Sequence, residues 1–243
     1  MAPRKPSRRS TAKPARPLRA GKKPSRVSLD TKARPRQQRA HTTYETILAA
    51  AGALLEDVGV ERLSTNLICE KAGITPPALY RYFPNKYALL KELGARLMAA
   101  QDEAVFAYIE TYRDVPGTVQ ERAERRRVVQ EKVNAITRAF PGGAWVMRAL
   151  RAIPTLRQVR VASREAVAER VFETLLKRYP GADRKDLRVA ATLSVEVMYA
   201  STELIMDQPE LDADRINAEM SYMVALYQES FADPARKPRA RPK

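Results

Sequence analysis

The chain has one cysteine and one histidine in 243 residues. A single thiol excludes an internal disulfide and any multi-cysteine zinc site. A single imidazole excludes most histidine-based metal centres and leaves at most one partner for a serine or cysteine nucleophile. Glycine is sparse, and Gly142-Gly143 reads as a bare turn rather than a loop that cradles phosphate. No apolar run approaches the roughly eighteen residues of a membrane span, and the first residues lack the apolar centre of a secretory signal. These absences argue against an enzyme, against a metal or other cofactor and against a membrane partner. They leave the expectation of a reduced, cytoplasmic protein.

Acid is also scarce, but only at the two ends. Residues 1–40 hold fourteen Lys and Arg against one acid, Asp30, and include six prolines and almost no large apolar side chain. Residues 232–243 hold five Lys and Arg against one acid, Asp233. The formal charge of +16 therefore resides in the ends, and the stretch between them is close to neutral. Segments of this composition bury too little apolar surface to offset their ordering entropy, so both are expected to be disordered basic tails. Solubilising tails, arms that hold nucleic-acid phosphates and an address signal all fit that composition.

From His41 to Phe231 apolar residues recur at helical spacing, with little alternation of period two. Nine helices are expected. The first opens at Thr42, with Glu45 placed for a capping box, and ends at Gly59. Ser64 caps a short second helix, Thr65 to Ala72, closed by Gly73. Thr75 caps a third, with Pro76 and Pro77 in the first turn, where missing N–H groups cost nothing. Pro84 stops it at Phe83, and Asn85 caps a long fourth helix, Lys86 to Tyr112. The later helices are expected at about 118–139, 144–152, 155–179, 184–206 and 213–231.

Ser64–Phe83 is two short helices joined by Gly73-Ile74, the helix-turn-helix arrangement in which the second helix enters the DNA major groove. Ile68, Ala72, Ile74, Leu79 and Phe83 are apolar where the helices must pack, and Cys69 is small enough to let them approach. Thr75, Pro76, Pro77, Ala78, Tyr80 and Arg81 then face outward. Threonine, tyrosine and arginine donate to phosphates, while proline and alanine offer apolar contact to thymine methyls. Lys86 sits at a helix start suited to a phosphate.

With these residues in place, the stretch from about Thr42 to Leu97 resembles the DNA-binding domain of the TetR family of bacterial transcriptional regulators. The resemblance rests on Ile47-Leu48-Ala49-Ala50-Ala51, Gly59, Ile68, Ala72-Gly73-Ile74-Thr75, Leu79-Tyr80-Arg81-Tyr82-Phe83, Lys86 and Leu89. It implies that Ser64, Thr65 and Asn66 touch phosphates and sometimes a base. It implies too that Thr75, Pro76, Pro77, Ala78 and Tyr80 face the groove and that Tyr82 and Lys86 hold phosphates. Two departures stand out. Pro76 and Pro77 replace residues that are often polar, and Tyr82 stands where histidine is frequent.

The resemblance further implies an all-α chain. It would have a three-helix helix-turn-helix domain at 41–98, a helical ligand-binding and dimerisation domain at 99–231, and tails at 1–40 and 232–243. Its partners would be a double-stranded DNA operator, a second copy of itself and a small effector. Met220, Met223, Val224 and Tyr227 form one stripe of the last helix and are the candidate dimer interface. Phe106, Ile109, Trp145, Met147 and Met198 are the candidate ligand-lining residues, and their composition favours an apolar effector. The function expected is a ligand-responsive repressor acting as a homodimer on a palindromic operator. The alternative is an architectural or non-specific nucleic-acid-binding protein driven by its basic tails.

Overall fold

A computed structural model describes residues 28–32 and 38–233, and most of both expected tails lies outside them. Among the described residues the chain is helical, without a strand. The α-helices are α1 (Gln38–Arg62), α2 (Thr65–Ala72), α3 (Pro76–Tyr82), α4 (Lys86–Tyr112), α5 (Val119–Ala139), α6 (Gly143–Ala152), α7 (Arg157–Arg178), α8 (Arg184–Asp207) and α9 (Ala213–Glu229).

Side chains set most of the starts, because the first amides of a helix have no partner within it. Asn85 accepts from the amides of Tyr87 and Ala88, both at 3.0 Å. Asp183 and Asp212 cap α8 and α9 in the same way. Thr118 and Glu121 form a reciprocal capping box on α5. The expected box on α1 does not form. That helix begins at Gln38, so Thr42 lies inside it and its carbonyl accepts from the Thr46 hydroxyl at 2.8 Å. Glu45 instead takes Arg96 of α4 in a two-pronged pair at 2.6 and 2.9 Å.

Helices α1 to α3 pack on the first turns of α4 around Ile47, Leu55, Ile68, Leu79, Phe83 and Leu89, all fully buried. This core continues along α4 into the C-terminal helices, through Leu97, Leu150 and Leu156. A smaller cluster closes the far end, with Phe172, Leu175 and Leu187 against Phe231. Helix α6 lies at the junction. Its leading Gly142 amide donates to Glu56 of α1 at 2.8 Å. Leu150 of α6 lies against Gly94 of α4 so closely that a Cβ there would come within 2.6 Å of it.

Two expectations change. Residues 28–32 are a docked strap, not part of a free tail. The Lys32 amide donates to the Tyr82 carbonyl at 2.9 Å, Asn85 donates to the Ser28 carbonyl at 2.9 Å, Lys91 pairs with Asp30 at 3.1 Å and Leu29 packs on the core. Helix α8 is, by length and composition, apolar enough to cross a membrane, contrary to the reading of the sequence. In the fold it lies between α7 and α9 and buries Leu187, Ala190, Ala191 and Val195, and polar groups on it bond to its neighbours. Gln130 of α5 donates to Thr202 at 2.6 Å and Gln228 of α9 donates to Ser194 at 3.0 Å.

Candidate nucleic-acid interface

The helix-turn-helix is built by short-range contacts. The Ser64 hydroxyl accepts from the Leu67 amide at 3.3 Å and starts α2. Gly73 ends it in the left-handed region (φ 63, ψ 34), where a side chain is strained and glycine is not. The Ile74 amide then returns to the Cys69 carbonyl at 3.0 Å. Cys69 is buried between the helices, and burial pushes its thiol pKa up, as suits a packing residue.

Leu79 and Phe83 point from α3 into the core with no exposed surface. Thr75, Pro76, Pro77, Tyr80 and Arg81 are left on the open face, with Ala78 half-buried beside them. The N-terminal turn of α2 presents Ser64, Thr65 and exposed Asn66. The two groups meet directly, since the Thr65 and Tyr80 hydroxyls lie 3.0 Å apart. The Thr75 hydroxyl makes no capping bond. The face therefore carries hydroxyl donors and one guanidinium around two rigid apolar rings. That set suits phosphate contact at the edges and thymine contact at the centre.

Two expected phosphate contacts are elsewhere. Tyr82 is buried, edge-on to the Tyr44 ring with centroids 5.8 Å apart. It lies three residues after Leu79, on the inward face of α3. Lys86 turns back to the end of α1, where its ammonium donates to the carbonyls of Leu63 at 3.0 Å and Val60 at 3.2 Å, with Glu61 at 3.4 Å. These carbonyls lie at a helix C-terminus, lack helical partners and favour a cation. Lys86 thus fastens α4 to the close of α1.

The candidate ligand-lining residues separate. Met198 lines a small cavity of about 20 Å³ between α4, α5, α7 and α8, with Val105, Val133, Val167 and Val195. Ile109 lines a second cavity one helical turn further along α4. Trp145 does neither: its ring rests 3.3 Å from where a Cβ on Gly59 would lie, under the Arg148 guanidinium. Phe106 is covered by Arg170, and Met147 is buried with its sulfur 4.0 Å from the Gln101 amide. Beside the first cavity, Asp102 accepts from Ser163 at 2.7 Å and Tyr199 at 3.2 Å, which ties α4 to α7 and α8. Burial raises the Asp102 pKa, and those two hydrogen bonds oppose the rise.

The candidate dimer stripe also divides. Met220 and Val224 are buried inside the chain, and Tyr227 packs edge-on against Phe231 at 5.7 Å. Met223 alone of the four is well exposed, at 53%. The outward apolar face runs instead through Val189, Leu193 and Leu204 of α8 and Tyr222, Met223 and Leu226 of α9. Val189, Leu193 and Leu204 share one face of α8 by their helical spacing, a stripe the expected interface left out. Spacing alone does not say which stripe faces inward.

Residues 47–93 match the family described as "Bacterial regulatory proteins, tetR family". The tetracycline repressor protein class A from transposon 1721 of Escherichia coli is 44% identical over 54 residues, which covers 22% of this chain and 25% of that protein. The chain thus matches about a quarter of the length of its curated relatives. A solved complex of SmeT with triclosan has a TM-score of 0.59 at 21% identity, covering 83% of this chain and 100% of the other. A TetR-like transcriptional regulator from Rhodococcus sp. RHA1 gives 0.55 at 22%, covering 81% and 99%. At these identities the structural matches establish a shared fold.

Proposed function

We propose that this chain, whose residues 47–93 match the TetR family of bacterial regulatory proteins, represses transcription as a homodimer on a two-fold DNA operator and is released by a small molecule. The observation that carries the reading is the open face of α3, joined to α2 through the Thr65–Tyr80 hydroxyl pair. Ser64, Asn66, Thr75 and Arg81 take phosphates, while Pro76, Pro77 and Ala78 touch base edges. The relatives' drug is not carried over with the fold, because the chain matches only about a quarter of their length.

Release works by population shift: the effector must bind better to a conformation that fits DNA less well. Helix α4 is the lever. Its first turn holds the end of α1, and further along it lines both cavities. Helix α6, held to α1 at Glu56 and to α4 at Gly94, moves with it.

Binding-site selection from random DNA tests this. The expected product is an inverted repeat bound at least about a thousandfold more tightly than random sequence. Pro77→Ala is expected to relax one base position per half-site, by about 1–3 kcal/mol. Equal affinity for selected and random DNA would replace the repressor with a non-specific binder.

A further inference from the structure

The second cavity lies at the end of α4 distant from the DNA face, where the start of α5 and the end of α7 meet it. Its volume is about 50 Å³, room for a few water-sized groups. Five of its lining residues are arginines, namely Arg113, Arg122, Arg125, Arg126 and Arg178, and none is acidic. Among the described residues, Arg122 pairs with Glu229, and Arg113 with Asp114 and Glu110. Arg125 donates to the carbonyls of Val115 and Pro116 and lies over the Tyr112 ring, and among the described residues neither it nor Arg178 makes an ion pair.

Arg126 decides the chemistry. It is more than nine-tenths buried and has no carboxylate partner. One terminal nitrogen donates to the Gln228 side chain at 2.9 Å, and the other, Nη1, is buried with no hydrogen bond at all. Arg122 carries a second such orphan at Nε. Burial lowers the Arg126 pKa; Tyr108 and Tyr179 oppose this, and the charges of Arg178 and Arg122 add to it. A buried guanidinium beside two others, with an unused donor, is costly unless an anion completes it.

Apart from Thr174 and Gln228, the rest of the wall is aliphatic or aromatic. Tyr108, Ile109, Val171 and Leu175 line the same space. One helical turn inward, Val105 precedes Ile109 on α4, Val167 precedes Val171 on α7, and Gln130 follows Arg126 on α5. These three inner residues line the valine-rich cavity that Met198 closes. A cationic socket is thus stacked on an apolar one along shared helices.

We propose that this pair of cavities binds one amphipathic carboxylate, its head on Arg126, Arg122 and Arg178 and its tail directed among Val105, Val133, Val167 and Val195. The assignment rests on the regulator reading and names the class of its effector. Planar guanidinium forks match a carboxylate two-pronged. The inner cavity, at about 20 Å³, has room for about one water-sized group, so an acyl tail must part α4 from α7. That is the movement by which a ligand would select a widened conformation.

Isothermal titration of the full chain with dodecanoate, 1-dodecanol and inorganic phosphate tests the site without DNA. Dodecanoate is expected to bind once per chain, with both other probes at least tenfold weaker. Arg126→Met keeps the length and bulk of the side chain, and Arg178→Gln alters a half-buried, unpaired residue. Each is expected to weaken dodecanoate at least tenfold while leaving the melting temperature close to that of the parent. Dodecanol binding as well as dodecanoate, phosphate matching it, or both variants binding as the parent does would each overturn the proposal. Operator affinity is measured separately. Dodecanoate bound at the arginines with operator affinity unchanged would leave the carboxylate site standing and refute its role in release.

Discussion

The outward face of α8 and α9 makes a quantitative prediction about assembly. Leu193 is 47% exposed and sits mid-stripe between Val189 and Leu204. Full burial of a leucine contributes about 1.5–3 kcal/mol, so the half still open at Leu193 stands to contribute about 0.7–1.5 kcal/mol per copy. A two-fold interface uses each residue twice, which doubles the figure to about 1.5–3 kcal/mol. Leu193→Asp removes this and buries two unpaired carboxylates, at a further cost of several kcal/mol. At 1.4 kcal/mol per factor of ten, the dimer should weaken at least about a hundredfold. Light scattering across the micromolar range should show monomers that keep the helical circular dichroism of the wild type, since about half of the side chain already faces solvent. Val224→Asp, at a site only 3% exposed, is the contrasting variant and should unfold the protein. A Leu193→Asp protein that stays dimeric with an unchanged dissociation constant would refute the placement of the interface.

Other outcomes follow from single contacts. Lys86→Met removes an ammonium from three carbonyls at the end of α1 and should cost about 1.5–3 kcal/mol, read as a melting point lower by roughly 3–12 °C; an unchanged melt would deny it the tethering role. Gly52→Ala places a Cβ 2.8 Å from both the Cβ and the carbonyl oxygen of Pro141, so the overpacking cost of about 1–3 kcal/mol should outweigh the ~1 kcal/mol helix gain of alanine; urea denaturation that finds the variant more stable would contradict that contact. Truncation after residue 27 should leave the melt unchanged and reduce the salt slope of DNA binding by roughly two units per dimer, whereas truncation after residue 32 also removes the strap and should lower the melting point; equal slopes would deny the basic segment a phosphate contact. The Glu45 carboxyl is held below its usual pKa, first by its hydrogen bonds to Arg96, so its contribution is present above the unfolded value of about 4.3 and is lost as pH falls through the lower folded value. Both partners are more than a third exposed, which limits the effect at neutral pH to about 0.2–1 kcal/mol; Glu45→Gln should therefore lose stability at neutral pH and none in strong acid, and a constant difference across pH would refute the assignment.

Some of this was legible before any fold was known. The bounds of α2 and α4 follow from residues within four positions of each end: Ser64, Gly73, Asn85 and the prolines act on their own turn of backbone. The helix-turn-helix was legible for the same reason, being two short elements and one left-handed glycine in a single stretch of chain. Composition likewise separated the basic ends from a neutral middle. The direction in which a side chain points depends on partners far away in sequence. Tyr82 ends α3 and Lys86 follows it closely, yet Tyr44 and the carbonyls of α1 draw them inward. Met220 and Val224 share a stripe with Met223, and only the packing of α5 against α9 decides which of them is covered. The arginine socket shows the difference most plainly. In sequence, Arg122, Arg125 and Arg126 are ordinary charges on a polar helix; beside Arg178 from α7 and without a carboxylate at Arg126, they become a site. A periodic pattern states which residues share a face, but burial and charge balance are sums over every neighbour, and those neighbours are brought together only by the tertiary structure.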